Sequence, residues 1–503
     1  MIEPTASTDF RFAKTTLSNG LDVIVRHQGQ LPIVAINLWY HVGSKNEERT
    51  GRGFSHLVEH LMFEGSEHYP GDFFKHLQRL GANINGSTSS DRTNYFVDLP
   101  AAHFERAIAI ESDRMAHLLG ALDDSKLRIQ RDVVKNEYRQ NYTNRPYGRV
   151  GPLIAEALYP PHHPYSWLTI GVMEDLDRAT MEDVSSFFRR YYVPSNASLA
   201  IVGDLDEESA FSIAERYFAA IPGGSKAVSP WVLEEGLKET ISILLHDSVE
   251  LDRLYLTWPT VRQFHGDDAA LVLLGDVLAR GRSSRLYRKL VIDEEIAQDV
   301  TAYQSGRELA GSFGIIVTLR PLRSLNHVRS LVESELSVLA SSGVEDGEVR
   351  RVVNLRVAGF FFALEHMGGF GGVADRLNAY NVFRNDPSLI TTDVQRFQAV
   401  SADRLQSVAQ RYLAGRPRVE LSVAGRKRAS SWAQLDRSVV PASRAPVGYR
   451  PPAPQIFTLG CGIPLWVFPR GDLPTVAGSI VVAGGAGLQQ SSQAGLAQLT
   501  AAM

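Results

Sequence analysis

Residues 54–66 read FSHLVEHLMFEGS, and this segment is the most informative part of the chain. Leu57 and Leu61 recur at helical spacing, which predicts a helix here. On that helix His56 and His60 lie one turn apart on the same face, separated by about 6 Å along the axis. Two imidazoles in this arrangement suit a single metal ion.

Glu59 stands three residues after the first histidine and directly before the second. From this position a carboxylate reaches a metal-bound water without being a ligand, which is the place of a general base. The order H-x-x-E-H inverts the H-E-x-x-H motif of the commoner zinc peptidases. A chance occurrence with structural histidines is the alternative. Two ligands are also too few, since catalytic zinc usually has three protein ligands and an open water position.

A third ligand must therefore come from elsewhere, and Glu137 in the segment QRDVVKNE (residues 130–137) is the candidate. Val133, Val134 and Glu137 share a helical face by their three- and four-residue spacing. Spacing alone leaves two interpretations open, a metal ligand or a solvated helix charge, because glutamate is usually exposed.

Composition restricts the function classes. The chain has 503 residues, 52 Lys and Arg against 56 Asp and Glu, and 44% hydrophobic residues, an ordinary globular profile. No basic stripe with interleaved aromatics is present, so nucleic acid is not an expected partner. Cys461 is the only cysteine, which excludes an intrachain disulfide and a cysteine zinc cage. Histidines and carboxylates must hold any metal.

Neither a signal peptide nor a membrane span is predicted. Residues 1–13 lack the apolar core of a signal peptide. The longest weakly polar stretches, such as residues 479–488, are about half of the ~20 residues that cross a bilayer. The expected location is cytoplasmic, with the periplasm open if the start is a processed one.

The order of strands and helices predicts an α+β fold. Two of the predicted strands, residues 83–88 and 93–99, precede long helical stretches without strict βαβ alternation. The element order of residues 1–222 recurs in residues 223–429. We therefore predict tandem homologous two-layer domains, each a mostly antiparallel or mixed sheet with helices on one face. Residues 430–455, rich in Pro, Ala and Ser, are a predicted linker.

A repeat follows the predicted linker. Residues 17–61 align without a gap on residues 459–503, with 11 of 45 positions identical. Residues 456–503 are therefore predicted to be the truncated start of a third copy, in a piece of a longer polypeptide. This copy lacks the three motif side chains and cannot bind zinc. Their counterparts are Gln498, Ala501 and Ala502.

The motif segment and the segment of Glu137 together resemble the pitrilysin/insulinase family of inverted-motif zinc peptidases, which includes the mitochondrial processing peptidases. The family's third ligand is a glutamate in a pattern like Arg-x-Val-Val-x-x-Glu. Arg131 and Glu137 fit it, and 76 residues separate His60 from Glu137. The resemblance implies one Zn²⁺ per chain, held by His56, His60 and Glu137.

A second resemblance concerns substrate. Residues 81–95 look like the family's Gly-x-x-x-Asn-x-x-Thr segment, an edge strand that pairs with the bound peptide. Asn85, Gly86, Ser87 and Thr88 fall on it. Strand addition gives affinity through backbone hydrogen bonds. An ordinary polar hairpin is the alternative interpretation of these residues.

The resemblance implies a zinc-dependent endopeptidase that hydrolyses peptides or unfolded polypeptide segments through a metal-activated water, with Glu59 as general base. It also implies that a second half of the same polypeptide, or a partner subunit, closes a chamber around the substrate. The alternatives are a non-catalytic core or scaffold subunit and a regulatory subunit of the same fold. Gln130 stands where the family often has a second glutamate, so a supporting carboxylate is expected to be missing.

Overall fold

The computed structural model describes residues 10–29, 31–230, 236–425, 453–468, 478–482 and 494–502, and the single positions 485, 490 and 492. The chain divides into two units, Met1–Arg428 and Ala429–Met503. The strands of the larger unit are β1 (Ala13–Thr16), β2 (Asp22–His27), β3 (Ile33–Tyr40), β4 (Asn83–Thr88), β5 (Thr93–Pro100), β6 (Ala197–Gly203), β7 (Ile241–Asp247), β8 (Arg253–Thr260), β9 (Ala297–Gly306), β10 (Gly311–Leu319) and β11 (Val419–Gly425).

The helices of this unit lie between these strands. They are α1 (Phe54–Leu61), α2 (Phe73–Gln78), α3 (Phe104–Ala121), α4 (Asp124–Tyr138), α5 (Val150–Leu158), α6 (Met173–Arg178), α7 (Met181–Tyr191), α8 (Glu207–Phe218), α9 (Asp268–Ala279), α10 (Arg285–Tyr287), α11 (Leu325–Ser342), α12 (Asp346–Ala363), α13 (Val373–Arg384), α14 (Leu389–Thr392), α15 (Val394–Gln398) and α16 (Ala402–Tyr412).

Two mixed sheets organise the larger unit. The first has six strands in the order β1-β2-β6-β3-β5-β4, and the second has five in the order β7-β11-β8-β10-β9. In the first sheet only β2 and β6 run parallel, and in the second only β7 and β11 do. The five strands of the second sheet thus repeat the topology of β2 to β6. Mixed sheets with helices against them confirm the predicted α+β class.

Apolar residues occupy both faces of the central strands. In β2, Val23 and Val25 enter the main core beneath the helices, whereas Ile24 between them enters a separate cluster on the opposite face. Successive side chains of a strand point to opposite faces, so burial of all three requires a covering layer on each side.

Each sheet receives this second layer from the other half of the unit. Helix α13 contributes Val373 and Leu377 to the cluster on the far face of the first sheet. Helix α5 contributes Val150 to the corresponding cluster of the second sheet, beside Leu421 and Val423. The predicted helix layer on one face is therefore supplemented by one exchanged helix on the other. The division into domains 1–222 and 223–429 stays a prediction.

The smaller unit contains a hairpin of β12 (Gln455–Thr458) and β13 (Pro464–Val467), and the helix α17 (Leu496–Ala502). The hairpin pairs antiparallel in the same register as β1 and β2, displaced by 442 residues. Helix α17 begins 442 residues after α1. Most of the predicted linker 430–455 and much of the predicted third copy 456–503 lie outside the described residues.

Among the residues that the structure describes, no helix combines the length and the apolar character that crossing a bilayer requires.

Candidate metal centre

A buried carboxylate fixes the beginning of helix α1. Gly53 precedes the helix with φ of 100°, a left-handed conformation that favours glycine, and it has no side chain that could cap. Glu47 supplies the cap instead, because its two oxygens accept hydrogen bonds from the Gly53 and Ser55 amides, each at 2.9 Å. Burial raises the pKa of Glu47 to about 7. Sequence reasoning missed this residue, since no motif marks a cap seven residues before the first residue of the helix.

The two motif histidines and Glu137 meet in one place. The Glu137 Oε2 atom lies 3.2 Å from His56 Nε2 and 3.5 Å from His60 Nε2. The imidazole rings lie edge to face with centroids 4.7 Å apart. In a tetrahedral zinc site with bonds of about 2.1 Å, neighbouring ligand atoms are about 3.4 Å apart. Two imidazoles and a carboxylate at these separations fit zinc in both geometry and chemistry.

Helix α4 brings Glu137 to this cluster. Val134 on the same helix is fully buried in the main core, and Glu137 lies three residues further on, so it leaves the helix on the same side. Val133, which the spacing placed on that face, is instead 41% exposed. The shared face is therefore formed by the three-residue step from Val134 and not by the four-residue step from Val133.

Electrostatics favour a positive charge between these groups. Hydrogen bonds from His56 and His60 hold the pKa of Glu137 well below its usual range. Burial lowers the pKa of His56, but its hydrogen bonds to Glu137 and Glu59 outweigh burial and raise that pKa to about 9. A cation bound at the nitrogen and carboxylate atoms would take the place of a proton.

Gln130 orients the second histidine. Its side-chain oxygen lies 3.2 Å from His60 Nδ1, and its amide nitrogen donates to Glu64 Oε1 at 2.5 Å. In a neutral ring whose Nδ1 carries the hydrogen, Nε2 keeps its lone pair for a metal ion at the cluster. The amide oxygen thus occupies the place where the sequence led us to expect a missing carboxylate. The seven-residue spacing from Glu137, two helical turns, was the signal that could have revealed it.

Glu59 is buried beside the cluster, and its Oε2 atom lies 3.3 Å from His56 Nδ1. The same oxygen accepts a hydrogen bond from the Thr88 hydroxyl at 2.5 Å. A residue expected to contact substrate through the backbone therefore also holds the expected general base with its side chain. The carboxylate is fixed between helix α1 and strand β4.

Strand β4 forms one edge of the first sheet, with β5 as its strand neighbour among the described residues. Asn85 is exposed, and the Gly86 amide donates to its side-chain oxygen. The Ser87 hydroxyl donates to Asn94 within the sheet at 2.7 Å. The four positions 85–88 thus lie on an edge strand that ends beside Glu59.

Comparisons with known proteins agree with this architecture. The model described as Insulinase (Peptidase family M16) matches residues 22–160, and the model described as Peptidase M16 inactive domain matches residues 178–356. The chain is 27% identical over 402 residues to the zinc protease PqqE of Helicobacter pylori, covering 79% of this chain and 89% of that protein.

A further relative and a solved structure are also similar to this chain. A probable mitochondrial-processing peptidase subunit beta of Arabidopsis thaliana is 21% identical, over 79% of this chain and 76% of the relative. The crystal structure of a protease from Helicobacter pylori superimposes with a TM-score of 0.76 at 25% identity, covering 82% of this chain and 99% of that one. Two family models, relatives matched over most of their length and a shared fold agree, and the chain belongs to the insulinase family of peptidases, family M16.

Proposed function

We propose that this chain is a zinc-dependent endopeptidase in which His56, His60 and Glu137 hold one Zn²⁺ and Glu59 is the general base. One observation carries the proposal: the three ligand atoms lie within 4.8 Å of one another. A buried carboxylate stands beside them, and an open sheet edge ends at that carboxylate.

The chemistry follows from these groups. A zinc ion bound there would lower the pKa of water towards about 7 and polarise a peptide carbonyl. Glu59 accepts a proton from the attacking water and returns it to the leaving amine. Thr88 keeps the Glu59 carboxylate in one orientation through its hydrogen bond. Gln130 keeps His60 in the tautomer that a metal ligand needs.

Substrate binds, in this proposal, as an added strand. Residues 85–88 of the edge strand offer backbone groups to an extended peptide, which selects for unfolded segments more than for sequence. The added strand would run past the Thr88 end of β4 and so past Glu59. The segment to be cleaved is thereby placed next to the general base.

We also propose that a partner closes a chamber around the bound substrate. The Arabidopsis relative is named as a subunit of a processing peptidase, which supports a partner subunit for this chain, or a second half of the same polypeptide. A structural neighbour, PqqL of Escherichia coli, is a periplasmic protease, and the cytoplasmic location of this chain stays a prediction.

A non-catalytic core subunit is the second candidate. Bovine cytochrome b-c1 complex subunit 1 is 26% identical over 208 residues, so a relative exists that is named for a respiratory complex. We favour the peptidase over the core subunit because this chain has all three proposed ligands, the proposed general base and the Gln130 contact to His60. A chain that had lost the activity would not need to keep all of these groups.

The substitution Glu59→Gln tests the activity. We expect zinc to remain bound and cleavage of a quenched fluorescent peptide to fall by about 10²–10⁴-fold, the usual contribution of a general base. Glu215→Gln, an exposed residue of helix α8, is the matched control and should keep full activity. Full activity of Glu59→Gln would exclude the proposed role. A zinc-loaded wild type without cleavage, alone and with its partner, would favour the core subunit.

A further inference from the structure

A second group of metal-type ligands lies outside the proposed active site. It consists of His68, in the segment between α1 and α2, and of Asp113 and His117, one turn apart on helix α3. No residue of this group belongs to the peptidase motif. Asp113 is largely covered, whereas both imidazoles are partly exposed.

The side chains of this group converge. His68 Nδ1 lies 2.7 Å from Asp113 Oδ1, and one ligand atom from each of the three residues lies within 4.8 Å of the others. The rings of His68 and His117 meet edge to face with centroids 4.8 Å apart. The separation of the two rings resembles that of His56 and His60, whereas the 2.7 Å between His68 and Asp113 is a hydrogen-bonding distance.

The backbone of helix α3 is adapted to this contact. His117 has non-helical angles, φ −127° and ψ 17°, inside the helix. Its carbonyl oxygen accepts a hydrogen bond from the Glu67 amide at 3.2 Å. The Ser66 hydroxyl donates to the second carboxylate oxygen of Asp113. The segment from Ser66 to His68 is thus held on helix α3, with one Asp113 oxygen directed to His68.

A fourth ligand, a carboxylate oxygen, is within reach. Glu67 Oε2 lies 3.5 Å from His117 Nδ1. It passes over Gly120, where a Cβ atom would be 3.1 Å from that oxygen. His68, Asp113 and His117 line an open cleft of about 460 Å³, so water has access to complete a coordination shell. Two imidazoles and one or two carboxylates suit zinc, cobalt, nickel or copper(II) better than magnesium or calcium.

We propose that His68, Asp113 and His117 bind a second divalent transition-metal ion, separate from the one at His56, His60 and Glu137. The ion joins the segment after the motif helix to helix α3. Binding to the folded state alone stabilises that state in proportion to the logarithm of free metal concentration. The simpler explanation is that the His68 to Asp113 hydrogen bond only fixes the segment, with no ion.

The test isolates the second group by removing the first. In the full chain, the double substitution His56→Gln and His60→Gln eliminates the proposed active-site ligands, and Co²⁺ is added to the metal-free protein. We expect one ion per chain by calorimetry, with the visible absorption bands of nitrogen-ligated Co²⁺. Adding His117→Ala should weaken this binding at least about tenfold, or 1.4 kcal/mol.

Two controls complete the experiment. His327→Ala, an exposed histidine at the start of α11, should leave Co²⁺ binding unchanged in the same background. If the double variant does not fold, the wild type and the single variant His117→Ala are compared, and two ions against one are expected. No binding in the folded double variant, or equal binding with and without His117, would overturn the proposal.

Discussion

Helices α1 and α9 occupy the same place in two sheets of the same topology, but their side chains differ. Helix α9 follows β8 as α1 follows β3, and its Leu271, Leu274 and Leu278 are fully buried. Gly275 brings it close to strand β9, since a Cβ there would be 3.0 Å from the Ala302 carbonyl oxygen. Helix α1 also buries Leu57 and Leu61, but it carries two histidines and a glutamate in addition.

The ionisable groups of the two helices are also treated differently. On α9, Asp268 accepts from Arg396 at 2.8 Å and Asp276 from Arg356 at 2.5 Å. These carboxylates already have cationic partners. At α1, the neighbouring carboxylates are Glu59 of the same helix and Glu137 of α4, and both lie against His56, a side chain that can bind a metal cation. Topology therefore decides where a helix crosses the sheet, and side chains decide whether that place becomes core or site.

The largest expected effect is on the site itself. Glu137→Ala should lower zinc affinity by more than the ~10–100-fold that the loss of an outer partner produces, because two ligands remain. Peptide cleavage should fall with it. Competition against a chromophoric chelator measures the affinity. Glu215→Ala is the matched control, and an unchanged affinity of Glu137→Ala would remove the carboxylate from the ligand set.

The next prediction concerns helix α9, the apolar counterpart of α1. Leu274→Ala should lower the free energy of unfolding by about 2–5 kcal/mol, as expected for a cavity in a packed core. Zinc affinity should stay unchanged, because the site lies in the other half. Denaturant unfolding measures the loss, and Leu355→Ala, at an exposed position of α12, should change stability by less than about 0.5 kcal/mol. An equal loss in both variants would contradict the comparison.

Acidic pH should lower the stability of the larger unit through His163, which lies near Arg307 of the second half. His163 Nδ1 accepts a hydrogen bond from the Tyr165 amide at 3.0 Å, so the ring must be neutral. Burial lowers the pKa of His163 to about 4, and the positive charges of Arg307 and His162 contribute. Between pH 4 and about 6.5 the unfolded state binds more protons than the folded state, so stability falls as the pH falls through this window.

The size of this effect is up to about 3 kcal/mol for a shift of this magnitude. His163→Asn, whose side-chain oxygen can accept the same hydrogen bond, should lose this part of the pH dependence. Urea unfolding at a series of pH values measures it, and the exposed His327→Asn should behave like the wild type. An identical pH slope in His163→Asn and wild type would refute the assignment.

The smallest expected effect refines the site. Gln130→Ala should weaken zinc binding about 10–100-fold, because His60 loses the acceptor that fixes its tautomer. Titration against the same chelator measures this loss. Ser125→Ala, exposed on the same helix, is the control and should bind zinc like the wild type. Equal binding in all three would show that the Gln130 contact has no part in metal affinity.

Local patterns predicted much of the first half. The strand over residues 83–88 has the expected bounds, the strand from residue 93 ends one residue later than expected, and the motif helix begins at Phe54. The 442-residue repeat also recurs in the register of the β12–β13 hairpin. Periodicity and turn residues act over a few positions, so the amino-acid sequence alone is enough to recognise them.

The sequence by itself determined the α+β class, the family resemblance and the two histidines with Glu59 on one helix, because helical spacing fixes their geometry. The tertiary structure alone decided the rest. Glu47 as a cap depends on how the loop just before α1 folds. Gln130 on His60 and the exchanged helices α5 and α13 depend on contacts between distant segments. So does the group of His68, Asp113 and His117. Such contacts form because packing pairs buried polar groups and removes apolar surface from water, and no periodicity of the chain encodes them.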